Sequence, residues 1–485
     1  MTDGFHLRLV HEMLQFASTR APGAPAVRDQ HGSWTYAEFL EQSLACAGWL
    51  SEQGVGHGDR VMIRARPDRR VLAVLFACAR LGAVFVPVSE TATAIQVNHI
   101  LSDADPVVVI DDELPDWGGH KAPGAQAARD DPLLLIYTSG STAVPKAVVG
   151  HHSHVLFATR AIAERLSYRA DDVVLCKLPL SFDYGLYQAF LTVLCGAELV
   201  LAGQDADARL LALIKHHGVT VVPVVPSLAA MLLSLGRRDR SPTRVRLFTN
   251  TGEELPRATI AGLRERFSGA GVQLMFGITE CKRVSIMEVD GDLHHPGALG
   301  RPLRGTSVRI LRPDGSEAPT GESGEIMVSG PHVMAGYWRD PELSARFFCR
   351  DPLTGERWLR TGDHGWLDAE GYLHFDGRRD QIFKLHGTRV SALEIEAAAR
   401  EIPGVSEAAV VPPAPGREAA LLVIASLTPV EVLRALRARL DASRTPSVCR
   451  VVARLPRNTS GKLDRAALPE LLMPESAINA YQGDM

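Results

Sequence analysis

From Trp34 to about Ser285, segments with helical spacing of apolar residues alternate with short Val, Ile and Leu runs. No other feature constrains the fold as much, because neighbouring parallel strands need a crossover long enough to hold a helix. The spacing predicts helices over 37–53, 71–81, 208–216, 228–235 and 257–267. It predicts strands over 60–63, 83–88, 133–136, 173–176, 198–201, 219–225 and 245–249. The expected result is a parallel sheet covered on both faces, with ligands at the carboxyl ends of its strands.

At Gly297 the texture changes to short strands and Gly/Pro turns, as in 307–311, Pro313-Asp-Gly315 and 325–329. This predicts a small β unit packed on the α/β body. After Gly377-Arg-Arg-Asp380 a third texture begins. A helix follows Ser391, where Ser-Ala-Leu-Glu fits a capping box. Strands at 408–412, 421–426 and 449–455 and a helix at 430–440 complete a compact α+β unit. The predicted fold class is therefore α/β. A large N-terminal domain (1–377) of doubly wound sheets carries a small β-barrel-like unit (about 297–377). A small α+β C-terminal domain follows (378–485).

With 485 residues the chain is long for a single core, which agrees with that division. Its 46% hydrophobic and 22% charged residues are those of an ordinary soluble protein. A formal charge of −4 supplies no global basic field, so nucleic acid is not an expected partner. The most apolar stretch, 71–88, contains Arg80, Gly82 and Pro87, so no membrane span is expected. Seven scattered cysteines without a C-x-x-C pair imply reduced thiols and a cytoplasmic location. The first residues lack the basic and apolar regions of a signal peptide. His151-His-Ser-His154 matches no metal-ligand spacing.

Directly after the apolar run 133–136 comes Tyr137-Thr-Ser-Gly-Ser-Thr-Ala-Val-Pro-Lys146. Backbone N–H groups, four Ser/Thr hydroxyls and one cation can cradle a polyphosphate. Taken alone, such a run also suits a solvated turn. It is not a Walker A loop, because no Gly precedes Lys146 and no Ser or Thr follows it.

Further motifs gather around this loop. They are Phe276-Gly-Ile-Thr-Glu280, Gly324-Glu-Ile-Met-Val-Ser-Gly330, Gly336-Tyr-Trp338 and Thr361-Gly-Asp363. Gly377-Arg-Arg-Asp380, Lys384-Leu-His-Gly387 and Asn458-Thr-Ser-Gly-Lys462-Leu-Asp-Arg465 complete the series. In kind and order, over residues 34–470, they resemble the adenylate-forming superfamily. That group comprises acyl-CoA synthetases, adenylation domains of nonribosomal peptide synthetases, and beetle luciferases. The resemblance implies an AMP-forming acid–thiol ligase using ATP and Mg²⁺.

The resemblance also implies the roles. Thr138, Ser139, Gly140, Ser141 and Thr142 would hold the β- and γ-phosphates, with Lys146 at the loop's end. Thr279 would donate to the α-phosphate and Glu280 would hold Mg²⁺. Phe276 would stack on adenine, and Thr251-Gly252-Glu253 would contact its edge. Asp363, an acceptor-only carboxylate, suits the ribose hydroxyls, with Arg378 on the same side. Lys462 would align the substrate carboxylate with the phosphate. Asp380 would be the hinge about which the small domain turns, exchanging Lys462 for the segment that begins at Lys384.

The acid is read from Pro179-Leu-Ser-Phe-Asp183-Tyr-Gly185. Its Phe-Asp resembles the pair that binds the ammonium in amino-acid-activating domains, while its Pro-Leu…Gly frame is closer to acyl-CoA synthetases. A buried Asp183 requires a cation or several donors. It answers either a substrate ammonium or neighbouring backbone, and in the second case the acid is a simple acyl or aryl acid. Cys281-Lys-Arg283 puts cations after Glu280, and Arg283 could accept a second carboxylate or remain solvated. Tyr184, Tyr187, Val224 and Asn250 are candidate pocket walls. The expected acceptor is the phosphopantetheine thiol of a separate carrier protein, with coenzyme A as the alternative. A non-catalytic member of the fold and a luciferase-like oxidation are the remaining readings.

Overall fold

The computed structural model describes residues 7–111, 114–138, 145–378, 381–385, 388–414, 417–440, 444–458 and 462–472, with backbone alone at 204, 205, 382, 384, 388 and 389. Ser139, Gly140, Ser141, Thr142 and Asp380 lie outside the described residues.

The alternating region forms two mixed sheets instead of one parallel sheet. In the nine-stranded sheet, Val173–Cys176, Glu198–Leu201, Val221–Val224, Leu247–Asn250 and Gly271–Phe276 belong to a parallel core. Antiparallel strands finish both of its edges. In the six-stranded sheet, Arg60–Arg64, Val84–Val88, Val108–Ile110 and Pro132–Thr138 are parallel; Lys146–His151 runs antiparallel to Pro132–Thr138, and Gly336–Tyr337 antiparallel to Lys146–His151. Helix–strand alternation specifies crossovers but does not record which strands become neighbours, so it cannot distinguish one sheet from two.

Local chemistry explains most element ends. Thr35 accepts from Glu38 N–H and Glu38 reaches back to Thr35, closing a capping box on helix Tyr36–Glu52. Pro226 opens helix Pro226–Arg238, longer than predicted, because proline at the first helical position loses no bond. The Ser391 cap differs from expectation. Its hydroxyl accepts from Leu393 N–H at 3.2 Å, and Glu394 pairs with Arg444 at 2.6 Å instead of closing a box.

The β-rich unit is a five-stranded antiparallel sheet that includes Ser307–Leu311, Gly324–Ser329, Phe348–Arg350, Arg357–Leu367 and Leu373–Arg378. Strand Gly336–Tyr337 leaves that unit to pair with Lys146–His151, and so ties it to the six-stranded sheet. The C-terminal unit contains the hairpin Ile382–Leu385/Thr388–Ser391 and a three-stranded sheet of Val405–Val411, Ala420–Ala425 and Val448–Val451. Its apolar cluster of Val390, Ile395, Leu421, Val432 and Leu436 is separate from the main core.

Candidate active site

Strand Gly271–Phe276 ends in a tight turn carrying Thr279 and Glu280, which returns as Ser285–Ile286. A Cβ on Gly277 would lie 1.9 Å from the Lys282 carbonyl oxygen, so only glycine lets the turn close. Lys282 itself takes a left-handed φ of 63°. Glu280 is fixed twice: its carbonyl accepts from Met334 N–H at 2.8 Å, and its Oε1 accepts from Tyr337 Oη at 2.7 Å. Burial pushes the Tyr337 phenol up, which keeps it a donor. Gly336-Tyr-Trp338 was legible as a motif, but nothing in its spacing pointed to Glu280.

Helix Asp183–Cys195 begins at Asp183, where a carboxylate complements the helix N-terminus. Asp183 is buried and its Oδ2 lies 3.4 Å from Arg283 Nη1. Arg283 also sits 4.9 Å from the Tyr184 ring centre, and Tyr184 Oη shares a hydrogen bond of 2.8 Å with Thr249 Oγ1. Lys282 is only 1% exposed, with Nζ 5.5 Å from the Tyr187 ring centre. Burial holds its ammonium below the usual lysine range, while Asp183 and Glu280 pull the other way. Arg283 Nε and Tyr187 Oη have no hydrogen-bond partner among the described residues. Val224 is buried, and its carbonyl accepts from Asn250 Nδ2 at 3.1 Å. Two cations thus share a buried space with one carboxylate, an arrangement that favours an incoming anion.

Lys462 enters the same space from the C-terminal unit. A bridge between Arg457 and Leu463 and a bond from Lys462 N–H to Asn458 Oδ1 at 3.1 Å shape its approach. Its Nζ stands 4.5 Å from the Phe182 ring centre. A Cβ on Gly252, where φ is 85°, would come within 3.1 Å of that nitrogen. Burial lowers the Lys462 pKa, opposed by Asp183 and Glu253. Burial also raises the Glu253 pKa, opposed by Arg457 and Lys462. Glu253 Oε2 and Thr251 Oγ1 are buried without a hydrogen-bond partner among the described residues.

Asp363, 2% exposed, lies 3.7 Å from Arg378, its register partner on the next strand. Phe276 is buried beside Phe375, with ring centres 5.3 Å apart. Lys146 is not a loop residue. It opens strand Lys146–His151 and pairs with Thr138. Ala147 lies in that strand opposite Tyr137 and has no positive φ, so alanine there is unstrained. Lys384 lies in strand Ile382–Leu385, opposite Arg389.

These residues of the phosphate, acid and lysine motifs fall within the match of two family profiles. The profile described as "AMP-binding enzyme" matches residues 14–338, and that described as "AMP-binding enzyme C-terminal domain" matches 394–462. The chain belongs to the AMP-binding enzyme family. This AMP-binding enzyme is an adenylate-forming, AMP-forming ligase with the two-part α/β fold of its relatives. It is 29% identical to the L-proline–[L-prolyl-carrier protein] ligase of Pseudomonas fluorescens, over 95% of this chain and 99% of that one. It is 27% identical to ATP-bound MatB from Rhodopseudomonas palustris, over 95% and 98% of the two chains, with a TM-score of 0.84. VinN, solved in complex with L-aspartate, is 40% identical over 76% of this chain and 98% of its own, with a TM-score of 0.69. No helix among the described residues is long and apolar enough to cross a membrane.

Proposed function

We propose that this AMP-binding enzyme activates an aspartate-like dicarboxylic amino acid as its acyl-AMP and passes the acyl group to the phosphopantetheine thiol of a separate carrier protein. The buried group of Asp183, Arg283 and Lys282 carries this reading. Asp183 takes the substrate ammonium, and Arg283 and Lys282 take a carboxylate. Opposite charges 3.4 Å apart suit an ammonium and a carboxylate borne on one carbon, which leaves the far carboxylate facing Lys462. The L-aspartate complex of the similar VinN and the carrier-protein ligase from Pseudomonas agree with this choice.

In the first half-reaction an oxygen of the free carboxylate attacks the α-phosphorus of ATP. The bond from that phosphorus to the bridging oxygen breaks, and pyrophosphate leaves. Lys462 draws the two anions together, and Thr279 donates to the α-phosphate. Thr138 through Thr142 and Lys146 receive the β- and γ-phosphates; Phe276 and Thr251-Gly252-Glu253 receive adenine; Asp363 and Arg378 receive the ribose. Glu280 suits Mg²⁺, because Tyr337 occupies one carboxylate oxygen and the other remains a hard donor. When bound, that ion would neutralise charge on the phosphates. In the second half-reaction the thiol sulfur attacks the acyl carbon and AMP leaves, after the C-terminal domain (378–485) turns about Asp380 on the N-terminal domain (1–377) and brings in Lys384. The free cysteines suit a reducing cytoplasm.

Carboxylate-dependent exchange of pyrophosphate into ATP, measured over amino, dicarboxylic, aryl and fatty acids, tests the acid. An aspartate-like acid should give the highest rate, and a monocarboxylic acid in that place overturns the assignment. Comparing a holo carrier protein with coenzyme A tests the acceptor: faster transfer to coenzyme A reassigns the enzyme as a coenzyme A ligase.

A further inference from the structure

Phe182 is the residue before Asp183, and its ring faces the end of Lys462. Three groups converge there. Lys462 Nζ is 4.5 Å from the ring centre. A Cβ built on Gly252 would lie 3.1 Å from Lys462 Nζ, 3.2 Å from its Cε and 3.6 Å from Phe182 Cζ. The ammonium therefore sits in a slot between an aromatic ring and a bare backbone. Asp183, Glu253, Arg283 and Arg378 are the charged groups that act on it. Among the described residues no hydrogen bond ends on Nζ, so the ring is its directional contact.

We propose that Phe182 is a positioning residue for adenylation, its ring face holding the Lys462 ammonium beside the carboxylate that is to be activated. A long lysine side chain is costly to order, and it arrives from a separate domain. An aromatic face attracts the ammonium without neutralising it, whereas a carboxylate in the same place would pair with the charge the reaction needs. Gly252 completes the slot, because a Cβ there would press on the ammonium at 3.1 Å and its φ of 85° disfavours any side chain. Once the domain turns, the ring has no lysine to hold, so the contribution is confined to the first half-reaction.

The proposal rests on Lys462 acting in adenylation, and one series separates the two claims. Phenylalanines with one, two, three and four ring fluorines are installed at position 182, which keeps ring shape while weakening its face. Adenylation kcat should fall stepwise, by about tenfold across the series, with little change in the KM for ATP. Transfer from presupplied acyl-adenylate should not follow the series. Phe182→Leu should match the most fluorinated ring, and Phe182→Tyr should restore the rate. An adenylation rate indifferent to fluorination overturns the proposal, as does an equal fall in both half-reactions. A change confined to the KM for the acid would make Phe182 a pocket wall instead. If Lys462→Ala leaves adenylation intact, the assignment of Lys462 fails first.

Discussion

Tyr337 Oη donates to Glu280 Oε1 at 2.7 Å, and so connects the strand paired with Lys146–His151 to the turn after Gly271–Phe276. The bond holds one oxygen of the carboxylate proposed to bind Mg²⁺. Tyr337→Phe removes only the donor and keeps the ring packed against Phe347 and Phe348. The Mg²⁺ concentration for half-maximal pyrophosphate exchange should rise about tenfold, the scale of one hydrogen bond to a charged group. An unchanged Mg²⁺ titration would refute this.

Lys462→Ala should lower adenylation by roughly 10²–10³. Transfer of a presupplied acyl-adenylate should survive. Single-turnover assays of each half-reaction decide the matter, and equal loss of both contradicts the assignment.

The pH dependence of adenylation follows from the burial of Lys462, which lowers its pKa from 10.5. The ammonium proposed to act in adenylation is present below the lowered pKa and disappears as pH rises through it. The alkaline limb of kcat should therefore lie below the titration of a free lysine, and Lys462→Arg should move it upward. For stability the sign is opposite. Between the two pKa values the unfolded chain holds the proton and the folded chain does not, so this group adds stability as pH rises.

Arg283→Leu leaves the buried Asp183 without its guanidinium partner. Urea unfolding should show a loss of about 3 kcal/mol, the usual cost of breaking a buried pair. Adding Asp183→Asn should return part of it, because the uncompensated charge is then gone. Strictly additive losses in the two variants would argue against a coupled pair.

Gly277→Ala would place a methyl 1.9 Å from the Lys282 carbonyl, where backbone would have to move. Thr279, Glu280, Lys282 and Arg283 share that turn, so both the ATP KM and the acid KM should rise together. A rise in only one of them would mean that the turn does not act as a unit.

Much of the fold could be read directly. Strands Val173–Cys176 and Glu198–Leu201 have the predicted bounds, because an apolar run flanked by polar turn residues is itself a local signal. Helix Tyr36–Glu52 lies one residue from its predicted bounds, because its apolar periodicity is a local signal. Leu247–Asn250 runs past its predicted end, because pairing with Gly271–Phe276 carries polar Asn250 into the sheet. Ser391 shows the same limit: its hydroxyl serves both Leu393 N–H and the Asp376 carbonyl, and Arg444 claims the glutamate a local rule would have used.

Helix–strand order, the change of texture near Gly297 and the motif set that marks an adenylate-forming enzyme are all legible along the chain. Those features depend on periodicity and on residues close together in the chain. The division of the strands between two sheets, the meeting of Arg283 with Asp183 and the place of Lys462 between Phe182 and Gly252 are settled by packing. Each of those contacts joins segments far apart in sequence. Their partners are chosen by how whole elements pack, and no local pattern encodes that choice.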